Sequence, residues 1–250
     1  MYTFLCEDSI SGIFSGIYEA WAGRYNRQEV FLKTGGIGNY ELFMEYKTID
    51  NSLVLGQKVA RSIKTRFGEE TYEWICYALW SWQEDKANAV YQMVRYGIEH
   101  KFGFGLKNHL TEPSIQRVME IGLAAYNEAH HYLGFVRFEQ LESGILYAKI
   151  NAKNYVLELL ADHFADRLPA ENWVIHDESR KKAVIHPSLG EWLVTDETSV
   201  KGLIRSRRTE SDEEYRNMWR RFCESISIEA RKNTILQRQN FPLRFRGDLP

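Results

Sequence analysis

Apolar residues recur at Ile10, Ile13, Phe14, Ile17 and Trp21, which is the spacing of one helical face, and Ser9 stands where an N-cap belongs. The pattern predicts a helix over 10–23 behind a short strand, Tyr2–Cys6. Gly35-Gly36-Ile37-Gly38 reads as a loop, Leu42–Lys47 as a second strand, and Asp50-Asn51-Ser52 as a turn or cap. From 52 to 133 the period stays helical. Gly68, Gly97, Gly103, Gly105 and Pro113 divide that stretch into four predicted helices. After Gly134 the period switches to two. Phe135–Leu141 and Ile145–Asn151 flank Glu142-Ser143-Gly144 as a hairpin. A helix over Asn154–Leu168 follows, then a second hairpin from Trp173–Asp177 and Lys182–Pro187, and a strand over Glu191–Thr195. The last long helix runs from Ser211 to about Arg231, and an extended basic tail ends the chain.

This order predicts an α+β fold in one domain over 1–250. The sheet is expected to be antiparallel, built from the N-terminal strand and two hairpins, with helices on one face. Residues 52–133 form a helical insertion, 134–231 the hairpin–helix–hairpin–helix part, and 232–250 a basic C-terminal arm.

Hydrophobic residues make up 44% of the chain, enough to bury a core, and the formal net charge is only -2. Charge is unevenly placed. Residues 201–250 carry 12 Lys/Arg against 7 Asp/Glu, and residues 1–200 carry 20 against 27. A basic end on an acidic body predicts a directed electrostatic face, and solvated helix charges are the plainer alternative. Cys6, Cys76 and Cys223 are far apart and form no metal-spaced cluster, so the chain is expected to be reduced and cytoplasmic. No signal-peptide pattern precedes the first strand, and no apolar run is long enough for a membrane span. Thr34-Gly35-Gly36-Ile37-Gly38 lacks the Gly-Lys-Ser/Thr of a phosphate loop and reads as a turn.

The densest chemistry lies at Glu128-Ala129-His130-His131-Tyr132-Leu133-Gly134-Phe135-Val136-Arg137-Phe138. A helix C-terminus favours cations, so His130 and His131 stand where positive charge is stabilised. Gly134 is expected to take the left-handed cap, and Arg137 to lie on the following strand. Such a corner suits a polyanion or a planar ring. The tail from Arg231 to Arg246 holds five cations and no acid, interleaved with Asn, Gln and Phe. Guanidinium groups pair with phosphate, rings stack on bases and amides read base edges. The alternative is a packed C-terminus, with Phe241 and Phe245 in the core and the arginines paired to the acidic body.

Glu128-Ala129-His130 with Gly134-Phe135-Val136-Arg137-Phe138, His163-Phe164-Ala165-Asp166-Arg167, Asn172-Trp173-Val174-Ile175-His176-Asp177, and Arg231-Lys232-Asn233 with Leu236-Gln237-Arg238 occur in this order. Together they resemble the signature of an uncharacterised bacterial family named for DNA metabolism. Its members are encoded beside a radical-SAM protein of DNA modification or repair, and some carry a uracil-DNA-glycosylase-like domain. The chain departs from that pattern at His131, where the family often has Arg or Lys, and at Phe245-Arg246, where it often has Tyr-Trp. The resemblance implies a nucleic-acid role and a radical-SAM partner, and supplies no catalytic residues.

The expected function is a DNA-engaging accessory protein in repair or modification. His130, His131 and Arg137 would contact phosphate or a displaced base. Arg231, Lys232, Arg238, Arg244 and Arg246 would bind backbone phosphates, with Gln237 and Phe245 at bases. With three scattered cysteines the chain cannot itself hold a radical-SAM cluster, so that chemistry falls to the partner. The alternatives are a base-processing enzyme of glycosylase or nuclease type, with Glu128, His130 or Asp166 in its site, and a protein–protein scaffold. No cofactor is expected. No metal site is expected either: His130, His131, His163, His176 and His186 show no His-x-x-x-His spacing, and His186 is expected at the surface. Asp162 and Asp166, one helical turn apart, read as members of an ion network.

Overall fold

The computed structural model describes residues 1–23, 25–36, 42–204, 210–228, 232–240, 242 and 245, with the backbone alone at some positions between 203 and 223. The chain divides into two compact units, Met1–Asn127 and Glu128–Pro250.

The first unit opens with β1 (Tyr2–Cys6), α1 (Ile10–Ala22), β2 (Val30–Thr34) and β3 (Glu45–Thr48). Four helices follow: α2 (Leu53–Phe67), α3 (Glu69–Leu79), α4 (Lys86–Glu99) and α5 (Pro113–Phe135), and the division between the units falls within α5. Ser9 caps α1 by accepting from Gly12 N, and Ser52 caps α2 by accepting from Leu55 N. A side chain of α1 then grips the backbone at the start of α2. Ser15 Oγ donates to Ser52 O at 3.2 Å and accepts from Ser52 N at 3.1 Å. Gly56 permits this approach, because a Cβ there would lie 3.1 Å from the Ser11 Cα.

The N-terminal strand does not join the hairpins. It is the centre of a separate three-stranded parallel sheet, ordered β2-β1-β3. The cause is α1, which carries the chain back so that β2 enters parallel to β1. β1 is paired along both edges, and Phe4 is fully buried there. The second strand expected at 42–47 starts at Glu45, and β2 was not expected at all. The helices of the 52–133 stretch share a core with this sheet, in which Phe4, Phe14, Phe67, Tyr91 and Leu106 are buried.

The second unit holds β4 (Glu139–Gln140), β5 (Leu146–Ile150), α6 (Leu157–Arg167), β6 (Trp173–Asp177), β7 (Lys182–His186), β8 (Leu193–Asp196), α7 (Glu197–Ile204), α8 (Glu210–Ile226) and α9 (Thr234–Asn240). Its sheet runs β4-β5-β6-β7-β8. Both expected hairpins form, β4–β5 and β6–β7, and β8 adds antiparallel to β7. β5 and β6 are parallel, so the sheet is mixed rather than antiparallel. A helix between two neighbouring strands crosses over and restores the strand direction, and α6 does this here. Tyr132, Leu160, Phe164, Trp173, Ile175, Val184 and Phe245 fill the core on the α6 side. Among the described residues no helix is long and apolar enough to cross a membrane.

Candidate nucleic-acid interface

The helix-to-sheet junction differs from its sequence reading. α5 does not stop at Gly134, whose φ is not positive, but continues to Phe135. Arg137 is not on a strand, because the first paired residue is Glu139. Its guanidinium turns back instead, and Nη1 donates to Gly134 O at 2.8 Å and Val136 O at 2.9 Å. Carbonyls at a helix end lack intrahelical donors, and a cation there satisfies both the hydrogen bond and the dipole. Arg137 therefore does the stopping assigned to Gly134. His130, His131 and Arg137 are all exposed.

Glu128 is 2% exposed and accepts three hydrogen bonds. Lys153 N reaches Oε1 at 3.1 Å, while Asn154 N and Nδ2 each reach Oε2 at 2.7 Å. This carboxylate ties α5 to the turn before α6, which is a bracketing role and not that of a solvent-facing acid. Arg180 pins the same turn from the other side, with Nη1 donating to Ala152 O at 2.8 Å and Nη2 to Lys153 O.

Phe245 is 1% exposed. Its ring lies edge-on to His131 at 5.8 Å and to Tyr132 at 4.8 Å, and tilted against Phe135 at 5.2 Å. A ring so enclosed cannot stack on a base, so the base-contact role expected for Phe245 is corrected to that of an anchor. It fixes the tail at the end of α5 that carries the two histidines. The stretch expected to be extended contains α9, started by Asn233, whose Oδ1 accepts from Leu236 N at 3.0 Å. Lys232, Gln237 and Arg238 are exposed on or just before this helix. Arg231, Arg244 and Arg246 lie outside the described residues, as does Phe241.

The remaining acids and histidines are dispersed. Asp162 accepts from Trp192 Nε1 at 3.0 Å, and Asp166 is exposed near the end of α6. One turn before Asp162 stands Glu158. Burial pushes its carboxyl above the usual range; the Tyr155 hydrogen bond opposes this, Asp162 adds to it and Lys182 opposes it. His176 is buried, with Nδ1 2.9 Å from the Tyr147 hydroxyl. His186 is also buried, against the expectation of a surface site. It stacks on Trp173 at 4.8 Å, and its Nδ1 lies 3.0 Å from Glu171 O. Its two-residue phase with Val184 carried that signal, and the adjoining Pro187 obscured it. Among the described residues no three His, Cys, Asp or Glu side chains converge as metal ligands. Cys6 is buried, which pushes its thiol up to about 12.

A groove of about 370 Å³ in the first unit contains none of the expected site residues. It is lined by Asn88, Gln92, Arg95, Tyr96 and Ser114, beside a bidentate Asp85–Arg117 pair at 2.7 and 3.0 Å. The Arg117 hydrogen bonds hold the Asp85 carboxyl below its usual range. No local motif announced this groove, because its two charged partners stand 32 positions apart.

No curated protein matches the chain. A solved chain described as a DHH-domain member of the s1p family of ribosomal proteins is 11% identical, with a TM-score of 0.33. That match covers 75% of this chain and 73% of the other. A family model described as a domain of unknown function, DUF4130, matches residues 84–250. That span contains the histidine end of α5, the mixed sheet and the tail, and the chain belongs to the DUF4130 family.

Proposed function

We propose that this protein engages DNA as an accessory factor in repair or modification, beside a radical-SAM enzyme that supplies the cluster chemistry. The observation that carries the reading is the seat of Phe245. It ties a cation-rich tail to the exposed His130 and His131 end of α5, so two stretches remote in sequence belong to one unit. The resemblance to the DNA metabolism family supports the same class of ligand. Lys232 and Arg238 bind backbone phosphates together with Arg231, Arg244 and Arg246. Gln237 meets base edges, and His130, His131 and Arg137 meet phosphate or a displaced base. Glu128 serves this interface by holding α5 to the turn before α6, not by chemistry.

Fluorescence anisotropy with labelled duplex and single-stranded DNA tests the reading. Replacing both Lys232 and Arg238 by Ala removes two phosphate contacts and lowers the log–log salt slope by about 2 on duplex DNA. An unchanged slope contradicts the assignment. Incubating the purified protein alone with uracil-containing DNA separates the roles, because turnover without a partner favours a base-processing enzyme.

A further inference from the structure

We propose that the groove between α4 and the start of α5 is a binding site for a nucleobase, taken as a free nucleoside or presented on an unpaired strand. At about 370 Å³ it falls within the range of small-molecule pockets, roughly 300–1,000 Å³. It lies wholly in the first unit, and all its lining residues fall within the span that the family model matches. The charged groups around it are already matched. Asp85 and Arg117 close on each other in the bidentate pair. Glu112 Oε1 accepts from Ser114 Oγ at 3.2 Å. Arg95 Nη1 donates to Arg27 O at 3.1 Å, and the Glu99 carboxylate stands 3.9 Å from its Nε. Asp85, Arg95, Glu112 and Arg117 cancel in charge, so the groove suits a neutral group.

The hydrogen-bonding capacity left over belongs to two amides one turn apart on α4. Asn88 Oδ1 accepts from Leu32 N at 3.4 Å, which leaves both hydrogens of Nδ2 uncommitted among the described residues. Gln92 is half-buried, and its amide hydrogen-bonds to no described residue. A side-chain amide offers a donor and an acceptor side by side, and the edge of a nucleobase answers both at once. Tyr96 and Pro113 add apolar lining for the ring. A phosphate finds no such answer, because Asp85 closes Arg117 and Arg95 is shared between Arg27 O and Glu99. The inference is independent of the DNA reading, whose residues all lie in the second unit.

Isothermal titration calorimetry of the full chain with adenosine, guanosine, cytidine and uridine, and with ribose as the control, tests it. At least one nucleoside is expected to bind, and ribose is not. Gln92→Glu keeps the size of the side chain and exchanges its donor for an acceptor, while Gln92→Leu removes both. Each weakens the bound nucleoside about tenfold, the loss of one or two hydrogen bonds, with far-UV circular dichroism unchanged. The 5′-monophosphate of that nucleoside binds no tighter than the nucleoside itself. Once a nucleoside is bound, a single-stranded oligonucleotide decides the source. Weakening by Gln92→Glu there too means that the base also arrives on a strand, and an unchanged affinity means the free nucleoside alone. Failure of all four nucleosides to bind overturns the inference. So do Gln92 variants that bind like the wild type, or a monophosphate held about tenfold tighter.

Discussion

Buried carboxylates and rings set the local energetics of the second unit. Glu128→Ala strips three acceptor contacts, two of them from the buried Asn154, and a loss of about 3 kcal/mol in urea denaturation is expected. Glu128→Gln keeps an acceptor and loses less. Phe245→Ala removes a buried ring and costs about 3 kcal/mol in the same measurement. Glu158 gives a pH signature. Its carboxyl is raised by burial, so the folded chain retains a proton that the unfolded chain has released. Its contribution is therefore fully present below the unfolded value of about 4 and is lost as pH rises through the folded one. Glu158→Gln is expected to gain stability over the wild type as pH climbs from 4 to 8, by denaturant titration. A gap that does not widen with pH contradicts the cause assigned. At this scale the sequence marked Glu128 by its neighbours but not by its job, because Asn154 lies 26 positions away. Phe245 was legible as core or as base contact, and only its enclosure by His131, Tyr132 and Phe135 decides between them.

Elements were legible where turn chemistry and period agreed. Tyr2–Cys6, the Ser9-capped helix and the Trp173–His186 hairpin stand close to where their patterns placed them. Partners were less legible, because pairing depends on connections rather than on the strand itself. β1 pairs with β2, a strand whose apolar run, Val30-Phe31-Leu32, is too short to show alternation. β5 and β6 became parallel because α6 crosses between them. The end of α5 was misassigned because glycine commonly ends helices, and here an arginine does so by reaching back. Arg137→Ala is expected to cost about 1 kcal/mol in urea denaturation, the value of a cation at a helix C-terminus. A variant as stable as the wild type would show that water replaces the guanidinium there.

For the whole molecule, the uneven charge is the property that matters most. Residues 201–250 carry 12 Lys/Arg against 7 Asp/Glu, and the preceding 200 carry 20 against 27. On the proposed DNA-binding role, a polyanion would be drawn to the first part and repelled by the second, and binding would be directional and strongly screened by salt. Counterion release reads the ligand class directly. The decisive measurement is the affinity of the full chain for a short labelled duplex over a series of salt concentrations. Five phosphates neutralised predict a log–log slope of about -4.5. Absence of binding at low ionic strength, or an affinity indifferent to salt, contradicts the account.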